Sequence, residues 1–304
     1  MNASKETSAM PVTSEGRIGE RIVVVEDDGP AGRAAVRWVG ARVGRHPAEV
    51  HVVCPLPRAD DQAAVSAHQD AVDRGTQVVH TVAPNAHVSA EVLIGDPEET
   101  LAEQARGADL LVIGATDTPL RRDALPLRLA SSAECVVVVV PAEWAPSGGR
   151  TVVGASIDTA SDAAIDFASA HARRGSGHLH VVHVWDLPVT GELPPPMNGD
   201  TGSIPDLQRH AIETFTAELS AGSAGLEVTS AVDRGEPADI LRAAAEGADL
   251  LVVGRRRRGS LTRLLLGSVS HALVQDPPCP VAVVPQPSDP IDVHGDGGGT
   301  AATY

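Results

Sequence analysis

Aligned residue by residue, Gly95 to Gly114 (GDPEETLAEQARGADLLVIG) and Gly235 to Gly254 (GEPADILRAAAEGADLLVVG) agree at 11 of 20 positions, at a constant offset of 140. Upstream, Val50 to Val53 (VHVV) faces Leu179 to Val182 (LHVV) at an offset of 129, and downstream Cys135 to Pro141 matches Cys279 to Pro285 at 144. The chain is therefore a duplication, and each copy must satisfy the same fold. The step from 129 to 140 is an insertion in copy two, in the Pro-, Gly- and Asp-rich stretch Trp185 to Asp206, which reads as a long surface loop. Its run Pro194, Pro195, Pro196 reads as a stiff connector rather than a polyproline ligand. The step from 140 to 144 is a deletion in copy one between Gly114 and Cys135.

Each copy alternates short apolar runs with Ala-rich segments of helical spacing. Ile22 to Val25, Val50 to Val53, Val88 to Ile94, Leu110 to Ile113 and Val136 to Val140 are the predicted strands of copy one. Val152 to Ala155, Leu179 to Val184, Glu227 to Val232, Leu250 to Val253 and Val281 to Val284 are those of copy two. Ala34 to Val43 and Ala163 to Ala172 are predicted helices, and Gly95-Asp96-Pro97 and Gly235-Glu236-Pro237 read as turns that open helices. Continuous Val/Leu runs between helices imply strands covered on both faces, hence parallel sheets. At 304 residues, against ~150 per typical domain, two domains are expected, 19–143 and 144–287. Residues 1–18 and 288–304 read as a disordered leader and tail.

Composition narrows the chemistry. With 24 basic and 40 acidic residues the net charge is -16, which disfavours nucleic acid and anionic membranes as partners. Lys5 is the only lysine, and it lies in the leader, so P-loop kinases and pyridoxal enzymes are excluded. Cys54, Cys135 and Cys279 form no C-x-x-C pair and no even-numbered framework, and neither a signal peptide nor a membrane-spanning run is evident. A cytoplasmic location is expected. No catalytic constellation emerges: there is no G-x-S-x-G and no recurrent general-base pair, and Ser147-Gly148-Gly149 reads as linker.

After the fourth strand of copy two come Gly254, Arg255 to Arg258, Gly259, Ser260, an apolar run, and then Gly267-Ser268-Val269-Ser270. In an open parallel sheet ligands sit at the carboxyl ends of the strands, where helix N-termini present free amides. Gly254 lets the backbone approach an anion, and Gly267-Ser268 opens the next helix with a hydroxyl and exposed amides. Together with Asp27, the two G-x-P turns and the two A-D-L-L-V-[IV]-G strands, these residues resemble the universal stress proteins in their tandem form, over about residues 19–287. The family's nucleotide motif is Gly, two residues, Gly, nine residues, Gly, then Ser or Thr. This chain has Gly254, Arg257, Gly267 and Ser268 at those spacings, with Arg257 in place of the second Gly.

The resemblance implies an α/β fold of two open five-stranded parallel sheets flanked by helices, Rossmann-like and of the adenine-nucleotide alpha-hydrolase kind. Strand order 3-2-1-4-5 is expected in each, with the fifth strands paired as a pseudo-dimer. It further implies ATP as ligand, with or without Mg2+, in copy two. Carried over by position, Val184 would meet adenine, and Gly254, Gly267, Ser268, Val269 and Ser270 the phosphates. The acidic position is occupied by Ser156, with Asp158 two residues on as a candidate substitute. Arg257 either fills the space where backbone meets phosphate or adds a charged donor.

Copy one keeps Asp27 but lacks a Gly-Ser after its fourth strand, and Asp117 and Asp123 would repel phosphate, so it is expected to bind no ATP. Asp27 is then a helix-capping carboxylate. The four arginines read as a solvated loop or a phosphate-steering rim rather than an RNA patch. His178, His180 and His183 alternate across a strand and read as packing or edge residues, and Cys135 and Cys279 as small buried ones. The expected function is a non-enzymatic stress-response regulator, at most a weak ATPase, that binds ATP or another adenine nucleotide and an unknown protein partner, as a monomeric pseudo-dimer or a homodimer. The alternative is a nucleotide-free interaction scaffold with both sites decayed.

Overall fold

The computed structural model describes residues 19–44, 46–59, 62–115, 119–121, 124–156, 162–185, 204–221, 225–255 and 266–286. The expected leader and tail, most of the inserted loop, and Asp117, Asp123, Asp158 and Arg257 lie outside them.

Copy one contributes strands β1 (Glu20–Val25), β2 (Ala48–Leu56), β3 (Ala86–Ile94), β4 (Leu110–Ala115) and β5 (Val136–Pro141). Between them lie helices α1 (Pro30–Val43), α2 (Gln62–Val82), α3 (Pro97–Ala105) and α4 (Leu125–Ser132). Copy two repeats the pattern with β6 (Thr151–Ala155), β7 (His178–Trp185), β8 (Glu227–Arg234), β9 (Leu250–Arg255) and β10 (Val281–Pro285), and with α5 (Asp162–Arg174), α6 (Ile204–Ala221), α7 (Pro237–Ala244) and α8 (Ser268–Gln275). The stretch read as one surface loop ends in helix: α6 begins at Ile204.

The strand order in each half is 3-2-1-4-5, and the fifth strands pair, so the two five-stranded sheets are halves of one ten-stranded sheet, β3-β2-β1-β4-β5-β10-β9-β6-β7-β8. Pairing is parallel except at the junction, where β5 and β10 run antiparallel with Val139 opposite Val281 and Val137 opposite Val283. Strand residues alternate between two apolar layers. Ile22 and Val24 belong to the layer that contains α1, α2, α5 and α6, whereas Val23 and Val25 belong to the one that contains α3, α4, α7 and α8. The repeated glycine of the G-x-P turns is explained by backbone: Gly95 and Gly235 take φ of 139° and 150°, which a side chain strongly disfavours. Asp96 then caps α3 by accepting the amides of Glu98 and Glu99, while the longer Glu236 makes no such cap on α7.

On the α1/α5 face a polar knot ties the copies together. The side chain of Arg42, 2% exposed, pairs with Glu20 at 2.9 Å, and Glu20 also pairs with Arg174 of copy two at 3.0 Å. The Arg42 guanidinium lies over the rings of Trp38 and Phe167 and donates to Nδ1 of His171, whose ring stacks on Trp38. Burial opposes the charge on Glu20, but Arg42 and Arg174 outweigh it and hold the carboxyl below its usual range. Burial, with the same two cations, pushes the His171 imidazole well below its usual range, which keeps it neutral and able to accept from Arg42.

Glu20→Gln leaves the buried Arg42 cation without its counter-charge and is expected to cost about 3 kcal/mol in urea unfolding at pH 7. Because the folded carboxyl titrates below 4.5, the stabilisation is present above that pH and lost as pH falls through the folded value. The gap between variant and parent should therefore narrow below about pH 4.

A cavity at the strand ends of copy two

Between the carboxyl ends of β6 and β9 and the start of α8 lies a partly open cavity of about 330 Å³. Seven of the eight residues singled out in copy two line it: Ser156, Val184, Gly254, Gly267, Ser268, Val269 and Ser270. The eighth, Arg257, lies outside the described residues. The sequence reading missed the apolar wall, made by Val182, Pro237, Leu241 and Val253, and missed Gln286 just beyond β10. Pro237 belongs to the repeated turn, and Leu241 lies one helical turn further on, so their signal was present; nothing short of the fold marks Gln286.

The polar end of the cavity is built from backbone. Gly267 is the N-cap residue of α8, among the described residues no side chain caps that helix, and its first turn contains no acidic residue. Its first-turn amides and the positive end of its dipole are thus available to an anion. The Ser270 hydroxyl donates to the Gly254 carbonyl at 3.0 Å, so this side chain ties α8 to the end of β9. A slot with an apolar wall at one end and helix amides at the other suits an aromatic base joined to a phosphate. Ser156 places a hydroxyl on the lining where the family resemblance calls for a carboxylate.

The run of four arginines is not uniformly solvated, and the expectation of a solvated loop or rim fails at its first member. Arg255 is 6% exposed and donates through Nη1 to the carbonyls of Ala130, Ser131 and Ala133, at the carboxyl end of α4 in copy one. It ends strand β9 and points, like Val253, into the layer where α4 and α8 pack. The histidines are paired locally: His178 with Glu227, His180 with Thr229, and His183 with the Ala155 carbonyl. All three cysteines are buried, and burial pushes the thiols up, Cys54 and Cys279 to about 12 and Cys135 to about 11, so they are inert as nucleophiles at neutral pH. Ser147 donates to Asp249, consistent with a linker stapled to the fold.

Copy one is built differently at the matching place. A Cβ on Gly114 would stand 2.4 Å from the Ala31 carbonyl carbon, so the start of α1 lies directly against the end of β4. Pro126 occupies the first turn of α4 and has no amide to offer. Asp27 accepts the amides of Gly29 and Gly32 at 2.9 and 3.1 Å, which is the capping role expected of it. The preceding residue, Glu26, is 3% exposed and accepts the Asp28 amide. Burial, with Asp27 and Asp28 nearby, pushes its carboxyl up to about 7 despite that hydrogen bond and the Arg33 cation.

A raised folded-state value means that the protonated acid stabilises the fold fully below about 4.5, and that this contribution declines as pH rises to about 7. Glu26→Gln keeps the acceptor and removes the titration. It should melt a few degrees above the parent at pH 8 and level with it at pH 4.5 when followed by circular dichroism.

Comparison with known proteins agrees with this architecture. The universal stress protein family model matches residues 19–141 and 149–285. A universal stress protein of Mycolicibacterium smegmatis is 30% identical over 289 residues, spanning 86% of this chain and 96% of that one. One of Mycobacterium tuberculosis is 27% identical over 297 residues, spanning 89% and 98%. The crystal structure of a universal stress protein from Archaeoglobus fulgidus superposes with a TM-score of 0.66 at 18% identity, over 87% of this chain and 98% of that one, which shows the shared fold. Two matches of one family model along a duplicated chain, each spanning one five-stranded half of the sheet, place the protein in the universal stress protein family, with tandem domains.

Proposed function

We propose that the chain is a stress-response regulator whose second domain binds ATP or another adenine nucleotide and passes its state to a protein partner, without turnover as its purpose. The observation that carries this reading is the juxtaposition, in one cavity, of an apolar slot and the uncapped start of α8. A volume of about 330 Å³ lies at the small end of the range of ~300–1,000 Å³ usual for ligand pockets. The start of α3 is closed by the Asp96 carboxylate, whereas the start of α8 at the cavity has Gly267 as its N-cap residue. That substitution trades a fixed internal acceptor for room and free donors, the requirements of a phosphate. Val184 and the Val182, Leu241 wall would hold the base, and Gly254, Gly267, Ser268 and Val269 would hold phosphate oxygens through backbone amides, with Ser270 bracing them. When bound, Mg2+ would neutralise phosphate charge. Among the described residues no helix is long and apolar enough to cross a membrane.

Equilibrium dialysis against labelled ATP is expected to retain one nucleotide per chain. Gly267→Val, which sets a branched side chain at the cavity mouth, should weaken retention at least tenfold without loss of circular dichroism. No retention by the parent would replace this reading with that of a nucleotide-free scaffold, and two per chain would overturn the assignment of copy one as a non-binder. Steady release of phosphate from the bound nucleotide would make the protein an ATPase.

A further inference from the structure

The cavity of copy two is anchored at both of its phosphate-facing elements by copy one. At the end of β9, Arg255 follows Gly254 directly and places a buried guanidinium on three carbonyls at the carboxyl end of α4. That helix has no basic residue in its own last turn, so Arg255 supplies both the missing donors and the positive charge that a helix C-terminus favours. At the far end of α8, the carbonyl of Gln275, its last residue, accepts the Leu120 amide of copy one at 2.6 Å. The two contacts are reciprocal in kind: a residue at or just beyond the end of the fourth strand of each copy caps the fourth helix of the other. They are unequal in chemistry, because Ala115 stands in copy one where Arg255 stands in copy two, and a backbone amide does the work there instead.

We propose that Arg255 is a positioning residue for the phosphate cradle of copy two, and that through it occupancy of the cavity is coupled to helix α4 of copy one. This rests on the nucleotide reading given above. The Gly254 carbonyl accepts the Ser270 hydroxyl, so the gap between β9 and the start of α8 is set by where β9 ends, and Arg255 fixes that end against α4. A ligand that grips Gly254 and the α8 amides holds Arg255 in place and so protects the α4 carbonyl end. By linkage, loosening α4 weakens the ligand by the same factor.

The test uses the full chain, Arg255→Met, and Arg255→Lys as the conservative variant. Without nucleotide, Arg255→Met should speed hydrogen exchange both in α4 and at the start of α8. It should weaken ATP at least tenfold while leaving adenosine, which has no phosphate to place, within twofold; Arg255→Lys should recover part of the ATP affinity. In the parent, ATP should slow exchange in α4, and in Arg255→Met it should not. Equal losses for ATP and adenosine, or unchanged exchange at the start of α8 in Arg255→Met, would overturn the positioning role. An α4 indifferent to ATP in a parent that binds it would overturn the coupling and leave the nucleotide reading intact. A parent that binds neither ligand overturns the nucleotide reading and the coupling together, while exchange in the ligand-free variants still decides whether Arg255 positions the start of α8. Should Arg255→Met fail to fold, Arg255→Lys decides by the same two ligands: unequal losses support the role and equal ones overturn it.

Discussion

The antiparallel pairing of β5 with β10 is the constraint on which the rest of the molecule depends. Each fifth strand is a Val-rich run buried on both faces, so each half alone would expose an apolar edge that invites uncontrolled pairing. Joining the edges to each other removes that hazard and leaves β3 and β8, with their charged and polar side chains, as the ends of the sheet. It also fixes the flanking helices: on one face α1 meets α5 through the Arg42 knot, and on the other Arg255 of β9 holds the end of α4 while Leu120 holds the end of α8. The sheet junction and its two helical braces form a single interface that neither copy could satisfy alone.

Within that frame the copies have taken different chemical characters. Copy one gathers carboxylates at the end of its first strand, where the exposed Asp27 closes the start of α1 and the buried Glu26 has its carboxyl pushed up to about 7. Copy two has Ala155 and Ser156 at the same strand end and leaves its fourth helix start uncapped beside a cavity. Helix α4 of copy one also lacks a side-chain cap, but its first turn holds Pro126, which has no amide, so the two fourth helices differ in the donors they present.

The strands were legible because a parallel sheet covered on both faces demands continuous apolar runs, and the repeat offsets fixed their equivalence. The cavity was legible for a related reason: residues at strand ends, such as Ser156, Val184 and Gly254, converge in this topology wherever the strands themselves are found. What local reading could not supply was long-range. Arg255 sits in a run of four arginines that looks solvated, and its burial depends on where a helix more than a hundred residues earlier ends. Glu26 gives no sign of its raised titration until α1 and α2 close over it, and Gln286 joins the cavity only because β10 ends beside it. Helix α6 was hidden because its start, Ile204-Pro205, follows directly on a Pro- and Gly-rich stretch.

The linker Pro141 to Arg150 has a thermodynamic effect beyond connection. A β5–β10 seam formed between separate molecules would come apart on dilution, and its population would track how much protein is present. Tethered ends meet at an effective concentration of order millimolar whatever the amount of protein around them. A seam held in one chain therefore favours pairing of its own two unlike copies over exchange of halves with neighbours.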